Sequence, residues 1–494
     1  MDLDQTTAQP EAEHQAATQE QKYVSLREQL AFYFSAFFRD MSYAIMGQAN
    51  YFFTDVLGLN PGQLGTLLLS RELWNGINDP LMGVYFDRRA YTTEKARRFF
   101  KTTGLPIAIF IVLMFSPFRF SQNPVVNGWI AVGFILLCWF PFEAMHTLNG
   151  TAYMSYYNSI TPNIQERSGI ISRARMFSSM GSAAVGGGIP LLYGMFAPDN
   201  IQAKSRVFLF TAIAVGAGFV LYNFLMYSQV KERIVTPPQE QQSIMGILRG
   251  MLSNKLFLVL IISNTIGGII SQGNTGMYFW QYNIGSSSWQ TWVGLAGFPS
   301  LLFAAWLMPK LCERFEKRNI VIACNASMIL MRLLQLYLGT QSARLNMATA
   351  NTGWGPKIFL AILMLATTLP DTVKGSIYWS MIADSVDYAE WKTAKRNDGT
   401  IYAMEGLMGK IIGSVGSVST AVIIKLVRFV PNAPVQSAYT MRGLFVVPLV
   451  IEMISKAASS VPYFFYDMKR QRHAQIIEEL KARKTAAEAV DAGA

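Results

Sequence analysis

Charged and amide side chains sit in the middle of long apolar runs, and their spacing is the first feature with chemical content. In the run at 63–87, Glu72, Asn75 and Asp79 stand at i, i+3 and i+7, on one face of a helix, with Asn78 beside them. The run at 126–160 carries Glu143, His146, Thr147 and Asn149. Arg39-Asp40 lies in the run at 27–57, and Arg175 opens the one at 168–195. Further along are Asp371 with Lys374, Glu405 with Lys410, and Glu452 with Lys456. An ionised group at the centre of a bilayer costs about 2.5–3.5 kcal/mol even on a lenient scale, so each is paired, near an end, or functional. Carboxylate, amide and hydroxyl oxygens one turn apart can hold a small cation or carry a proton, while Arg and Lys can hydrogen-bond a solute.

Several of these groups also have structural readings. Asp371 and Lys374 at i, i+3 read equally as a self-neutralising pair, and Glu452 and Lys456 at i, i+4 read as a pair near a helix end. His146, the one histidine within a run, reads either as hydrogen-bonded structure or as a binding residue. Glu72 is placed toward the membrane end of its helix and receives no role. The aromatic cluster Tyr278, Phe279, Trp280 and Tyr282 reads as an interfacial belt. Upstream, Asn264, Gln272 and Asn274 alternate with glycines, which suits a cavity wall, an interrupted helix or close packing.

The elements that must position these groups are membrane helices. Of 494 residues, 51% are hydrophobic and only 15% charged, against about a quarter charged in a soluble domain. The apolar residues gather in runs of about 20, the length that crosses a hydrocarbon core, and about twelve such runs exclude a soluble fold. They lie near 27–57, 63–87, 100–118, 126–160, 168–195 and 206–229, then near 256–284, 289–310, 319–340, 356–387, 399–428 and 438–467. A polar stretch at 231–255, with Pro237-Pro238, joins two halves at 25–230 and 256–468; a polar head at 1–24 and a basic tail at 469–494 flank them. The head has no basic and apolar leader segments, so no cleavable signal peptide is expected.

The net charge of +11 does not point to nucleic acid, because the basic residues lie in short loops between spans. Arg88, Arg89, Arg97 and Arg98 follow the second span; Arg314, Lys317 and Arg318 follow the eighth; Lys392, Lys395 and Arg396 follow the tenth. The loops after the first and seventh spans have none, which puts both termini in the cytoplasm. Cys138, Cys312 and Cys324 show neither disulfide nor zinc spacing. No nucleotide loop, metal-ligand cluster or nucleophile elbow appears, so the chain is read as no enzyme and no ATP-driven pump. The paired halves and basic loops give an all-α, major facilitator layout, in which a substrate would lie between the halves.

Three stretches carry a family resemblance. Trp74-Asn-Gly-Ile-Asn-Asp-Pro-Leu-Met-Gly83 resembles the signature of the glycoside–pentoside–hexuronide:cation symporters, the melibiose-permease type of major facilitator. So do Ala383-Asp-Ser-Val-Asp-Tyr-Ala-Glu-Trp-Lys-Thr393 and Tyr51-Phe-Phe-Thr-Asp-Val-Leu-Gly-Leu59, in family order. The resemblance implies a cation site at Asn75 and Asp79, where the first family carboxylate is an amide here. The family aspartate of the fourth span falls near Asn149 or Gly150 and is also missing. Thr147 and Lys410 match, and Asp40 and Arg175 match family sugar-binding positions.

The resulting expectation is a solute–cation symporter in the inner membrane, a monomer that needs no cofactor beyond its coupling cation, H+ in preference to Na+. Asp79 would carry the proton with Asn75, Asn78 and Thr147 around it; Asp40, Arg175, His146 and Lys374 would bind a sugar-like solute, and Lys410 would balance Asp79. The rival readings are a carrier of a carboxylated sugar or lysolipid, a sensor that has lost transport, and a membrane enzyme.

Overall fold

The computed structural model describes residues 22–87, 95–161, 163–196, 200–233, 254–270, 275–393, 398–431, 433 and 435–491. Residues 1–21 of the head, Arg88 and Arg89, most of the polar stretch at 231–255, Gln272 and Asn274, and Lys395 and Arg396 therefore lie outside the described residues. All regular structure among the described residues is helical. The chain divides into two compact units, one running to residue 241 and one from 242 onward, with 430–434 grouping with the first.

The first unit holds α1 (Leu26–Gly47), α2 (Ala49–Asp55), α3 (Pro61–Asp87), α4 (Lys95–Met114), α5 (Pro124–Ser159), α6 (Ile164–Phe196) and α7 (Ile201–Gln229). The second holds α8 (Lys255–Ile269), α9 (Gly276–Tyr282), α10 (Ser288–Leu295), α11 (Phe298–Arg314) and α12 (Lys317–Gln341), then α13 (Trp354–Thr393), α14 (Asp398–Leu426), α15 (Ala438–Ser460) and α16 (Arg470–Asp491).

Polar caps set the helix starts. Ser25 accepts from the Glu28 N–H, and Asn123 from Val125 and Val126 with Pro124 opening the helix. Asn200, Asn254 and Ser437 do the same for α7, α8 and α15. Between α2 and α3 the chain turns at Gly58, whose φ of 75° favours glycine. Asn60 and Gln63 then exchange backbone-to-side-chain bonds of 3.0 and 2.9 Å, a reciprocal cap on α3. The stretch Tyr51–Leu59 is thereby a buried corner, with Phe52, Phe53 and Leu59 out of solvent.

Among the described residues, α5, α7, α12, α13 and α15 are long and apolar enough to cross a bilayer. A sixth span results if Ser288–Leu301 and Trp306–Arg314, bent by 52°, are taken together. Other long helices fall short of that apolarity for a reason: α1 carries Arg39-Asp40, α3 carries Arg71, Glu72 and Asp79, and α6 carries Arg173 and Arg175. These three helices hold Asp40, Asp79 and Arg175 among the candidate site residues. Three expected continuous spans are broken, at Gln48, after Ile269 and near Gly297. Within the aromatic cluster of α9, Tyr278 turns inward and is fully buried, and Tyr278 and Tyr282 meet the Phe429 ring edge-on at 5.1 and 5.5 Å.

Close backbone approach holds the first unit together. α1 packs along α6 and α7, and α4 along α7. A methyl group on Gly181 would overlap the Phe37 carbonyl, and one on Gly104 would lie 2.8 Å from Asn223 Cβ. At the unit's Ser25 end, Arg233 binds Glu28 (2.7 Å) and the Ile160 carbonyl (3.0 Å). Burial pushes the Glu166 carboxyl up, but bonds from Thr161 and from the Tyr23 and Val24 N–H groups outweigh it and hold it below the usual range.

In the second unit, Phe257 and Leu260 of α8 pack with Ile377 and Met381 of α13. The Ala383–Thr393 motif clamps three elements. Lys317 Nζ lies 2.7 and 2.9 Å from the two Asp384 oxygens, and His473 Nε2 lies 3.1 Å from Asp387. Trp391 donates to Glu479 at 2.6 Å, so the start of the basic tail, α16, is docked on α13.

The α1–α6 contact predicts a paired result. Gly181→Ala should lower the thermal stability of the purified protein, overpacking of this kind costing about 1–3 kcal/mol. Gly186→Ala, with nothing within 4 Å of the added carbon, should leave it unchanged. Equal melting temperatures for both variants would show that α1 and α6 do not rely on this approach.

Candidate functional site

The candidate cation-coupling residues come together on facing turns of α3 and α5. Thr147 Oγ1 donates to Asp79 Oδ1 at 3.1 Å and accepts from Asn78 Nδ2 at 3.0 Å. One turn earlier, Asn75 Nδ2 donates to Glu72 Oε2 at 3.3 Å. These bonds fix both amides, and the oxygens left over, Asn75 Oδ1 and Asn78 Oδ1, are buried without a hydrogen-bond partner among the described residues. Such orphaned acceptors are uncommon in folded proteins. Here they lie on the same helix segment as the Asp79 carboxylate, an arrangement of neutral and charged oxygens suited to a cation.

Glu72, left without a role by the sequence reading, belongs to this neighbourhood. Arg71 pairs with it at 3.4 Å, both side chains being nearly buried, and the Arg71 guanidinium lies 4.1 Å from the Trp139 ring centre. The signal is the adjacent pair Arg71-Glu72 on α3, which copies Arg39-Asp40 on α1. Trp74, the first residue of the family signature, fixes α3 to α5 by donating to the Phe140 carbonyl at 3.1 Å.

Asp40 and Arg175 lie at the α1–α6 contact. Asp40 Oδ1 takes both Arg39 Nε and Nη2 at 2.9 Å, and Ser178 donates to Oδ2. Arg39 also stacks 4.0 Å from the Tyr153 ring centre. Arg175, one turn from Ser178, is exposed and its guanidinium makes no hydrogen bond or ion pair among the described residues. His146 is enclosed instead: its Nε2 lies 3.2 Å from Ser42 Oγ, and Tyr43, Phe142 and Phe219 surround the ring at 4.5 to 5.8 Å. That environment suits support of α1 rather than solute contact. The Lys410 side chain lies outside the described residues.

The missing acid of the fourth span has a structural explanation. Asn149 Nδ2 donates to Thr103 Oγ1 and to Asn223 Oδ1, both at 2.7 Å, and its Oδ1 accepts from Tyr222 at 2.8 Å. The amide ties α4, α5 and α7 together in a site that is 1% exposed. Its two donors face two acceptors, which a carboxylate could not supply.

In the second unit the expected pairings are exchanged. Lys456 binds Asp371 at 3.3 Å, and Glu452 binds Arg332 on α12 at 2.9 Å. Neither the Asp371–Lys374 nor the Glu452–Lys456 pair forms, because partners on neighbouring helices offer better geometry than i, i+3 or i, i+4 neighbours. Lys374 lines a cavity of about 320 Å³ with Asp371 and Lys456.

The MFS/sugar transport protein family matches residues 31–470, and the chain belongs to that family. The chain is 25% identical over 444 residues to a Salmonella typhimurium protein named "Putative sulfoquinovose importer", covering 88% of each chain. It is 24% identical over 462 residues to the isoprimeverose transporter of Lactiplantibacillus pentosus, covering 91% of this chain and 92% of that one. The solved D-xylose-proton symporter superposes with a TM-score of 0.57 at 13% identity, over 86% of this chain and 96% of that one. The chain is thus a multi-pass membrane transporter of the major facilitator fold and the sugar-symporter type, not an enzyme.

Asn149→Asp tests whether the missing acid is structural. It should not create a cation requirement and should destabilise the protein by about 1–3 kcal/mol, the usual cost of unmaking a buried hydrogen bond. A variant as stable as the parent, with new sodium dependence, would return this position to the cation site.

Proposed function

We propose that this protein carries a sugar or glycoside-like solute across the cytoplasmic membrane together with a cation, H+ in preference to Na+, bound at Asp79. The observation that supports coupling is the Asn78–Thr147–Asp79 chain of 3.0 and 3.1 Å bonds joining α3 to α5. A single carboxylate suffices to carry a proton, and the Thr147 hydroxyl can donate to its charged form or turn to accept from its neutral one. No other cofactor is needed. Asp40, held in place by Arg39 and Ser178, would accept solute hydroxyls, and Arg175 offers a planar donor fork one turn from Ser178. The relatives' names, with sulfoquinovose and isoprimeverose, favour a carbohydrate.

Sodium is the second reading, favoured by the unpartnered oxygens of Asn75 and Asn78. With Thr147 and Asp79 they would form an oxygen cage carrying one negative charge. Proteoliposomes separate the two cations. Under the proton reading, Asp79→Asn should reduce accumulation to the external concentration while leaving solute exchange intact. Asn75→Asp should add sodium stimulation by restoring a second carboxylate one turn away. Wild-type uptake that follows a sodium gradient and ignores a proton gradient would move the assignment to sodium.

Both termini are placed in the cytoplasm on the Lys/Arg bias of the loops. A reporter active only outside the cytoplasm, fused after residue 484, should be silent; activity there would reverse the orientation.

A further inference from the structure

The Tyr43 hydroxyl stands between the Asp79 neighbourhood and the Arg39–Asp40 pair. Tyr43 follows Asp40 by three residues on α1, so the two share a helix face. A methyl group on Gly150 of α5 would lie 3.7 Å from Tyr43 Oη. Gly150 is in turn three residues from Thr147, which donates to Asp79 at 3.1 Å. The ring is set by His146, whose imidazole meets it edge-on at 4.5 Å and lies 3.2 Å from Ser42 Oγ. Tyr43 is nonetheless half exposed, and its hydroxyl makes no hydrogen bond among the described residues. A held ring thus presents a free hydroxyl between two functional pairs.

The field at this hydroxyl comes from both pairs. Arg39 and Asp40 of α1, Asp79 of α3 and Glu143 of α5 all act electrostatically on it, with the His146 ring alongside. Arg39 and Asp40 meet each other at 2.9 Å, and Glu143 also acts on Arg71, which pairs with Glu72. α6, packed along α1, adds the exposed Arg173 and Arg175, and α7 carries no charged residue from Val207 to Ser228. Protonation of Asp79 is the one change of charge in this set that proton coupling requires. A hydroxyl both donates and accepts, and its hydrogen turns to suit the field. With Asp79 ionised, the O–H points toward the carboxylates and offers only lone pairs outward. With Asp79 neutral, that pull weakens and the hydroxyl can donate outward.

We infer that Tyr43 binds the carried solute and makes its affinity depend on the proton at Asp79. The ring gives the solute an apolar face beside Asp40, and the hydroxyl donates to a solute oxygen when Asp79 is neutral. The proton therefore strengthens solute binding, and by linkage the solute favours the protonated carrier by the same factor. The inference rests on the proton reading of Asp79 and adds the residue through which proton and solute act on each other.

Equilibrium binding to the purified full-length protein, in sodium-free buffers from mildly acid to mildly alkaline, tests it. The probes are methyl glucoside, methyl galactoside and methyl xyloside. At least one should bind the wild type about three- to tenfold more tightly in acid, the scale of one hydrogen bond gained. Tyr43→Phe keeps the ring and removes no hydrogen bond of the fold, so it should melt with the wild type yet bind weakly at every pH. Asp79→Asn should also lose the pH dependence, but at the tighter affinity of the acid form, and Glu143→Gln should retain it. A pH dependence unchanged in Tyr43→Phe would overturn the role of Tyr43 and leave proton-coupled carriage standing. So would wild-type affinity that ignores pH. Dependence lost in Glu143→Gln and kept in Asp79→Asn would overturn the inference and the proton assignment together. Binding of none of the three glycosides at any pH would overturn the inference and count against sugar carriage as well.

Discussion

A polar group inside a bilayer finds no water, so each must be matched by the protein or by what the protein carries. This constraint orders the structure. Arg39 and Arg71 are each neutralised by the next residue in the chain and covered by an aromatic ring, Tyr153 or Trp139. Arg332 meets Glu452, Lys317 meets Asp384, and Asn149 uses both amide hydrogens and its oxygen. Among the buried polar atoms that find no hydrogen-bond partner within the described residues are the oxygens of Asn75 and Asn78, on the same helix segment as the Asp79 carboxylate.

The same constraint explains how the helices are assembled. α5 and α7 are apolar enough to stand in lipid without help, whereas α1, α3 and α6 bring charge into the membrane. The charged helices find their partners through close approach, as at Gly181 against Phe37, which brings Ser178 to Asp40. Binding chemistry and packing are therefore carried by one contact.

Much of this was legible in the sequence, for physical reasons. Apolar runs mark helices in lipid, and the i, i+3, i+7 spacing of Glu72, Asn75 and Asp79 put them on one face. The family signatures located the carboxylate that Thr147 meets. What could not be read were partners chosen across helices. Lys456 turned to Asp371 and Glu452 to Arg332, since side chains on adjacent helices can meet head-on while i, i+4 neighbours must bend toward each other. Tyr278 looked interfacial by its composition but is buried against Phe429, because composition does not say which side of a helix faces a neighbour. Asn149 looked like a lost ligand, and only the positions of Thr103, Asn223 and Tyr222 show why an amide stands there.

The central claim is that a proton travels with the solute on Asp79. Its most direct test is the pH of a weakly buffered medium around de-energised vesicles when a panel of sugars and glycosides is added one at a time. A carried sugar should make the medium transiently alkaline, and a protonophore should abolish the signal. A sugar that enters without any pH change, while a sodium electrode records sodium leaving the medium, would contradict the claim.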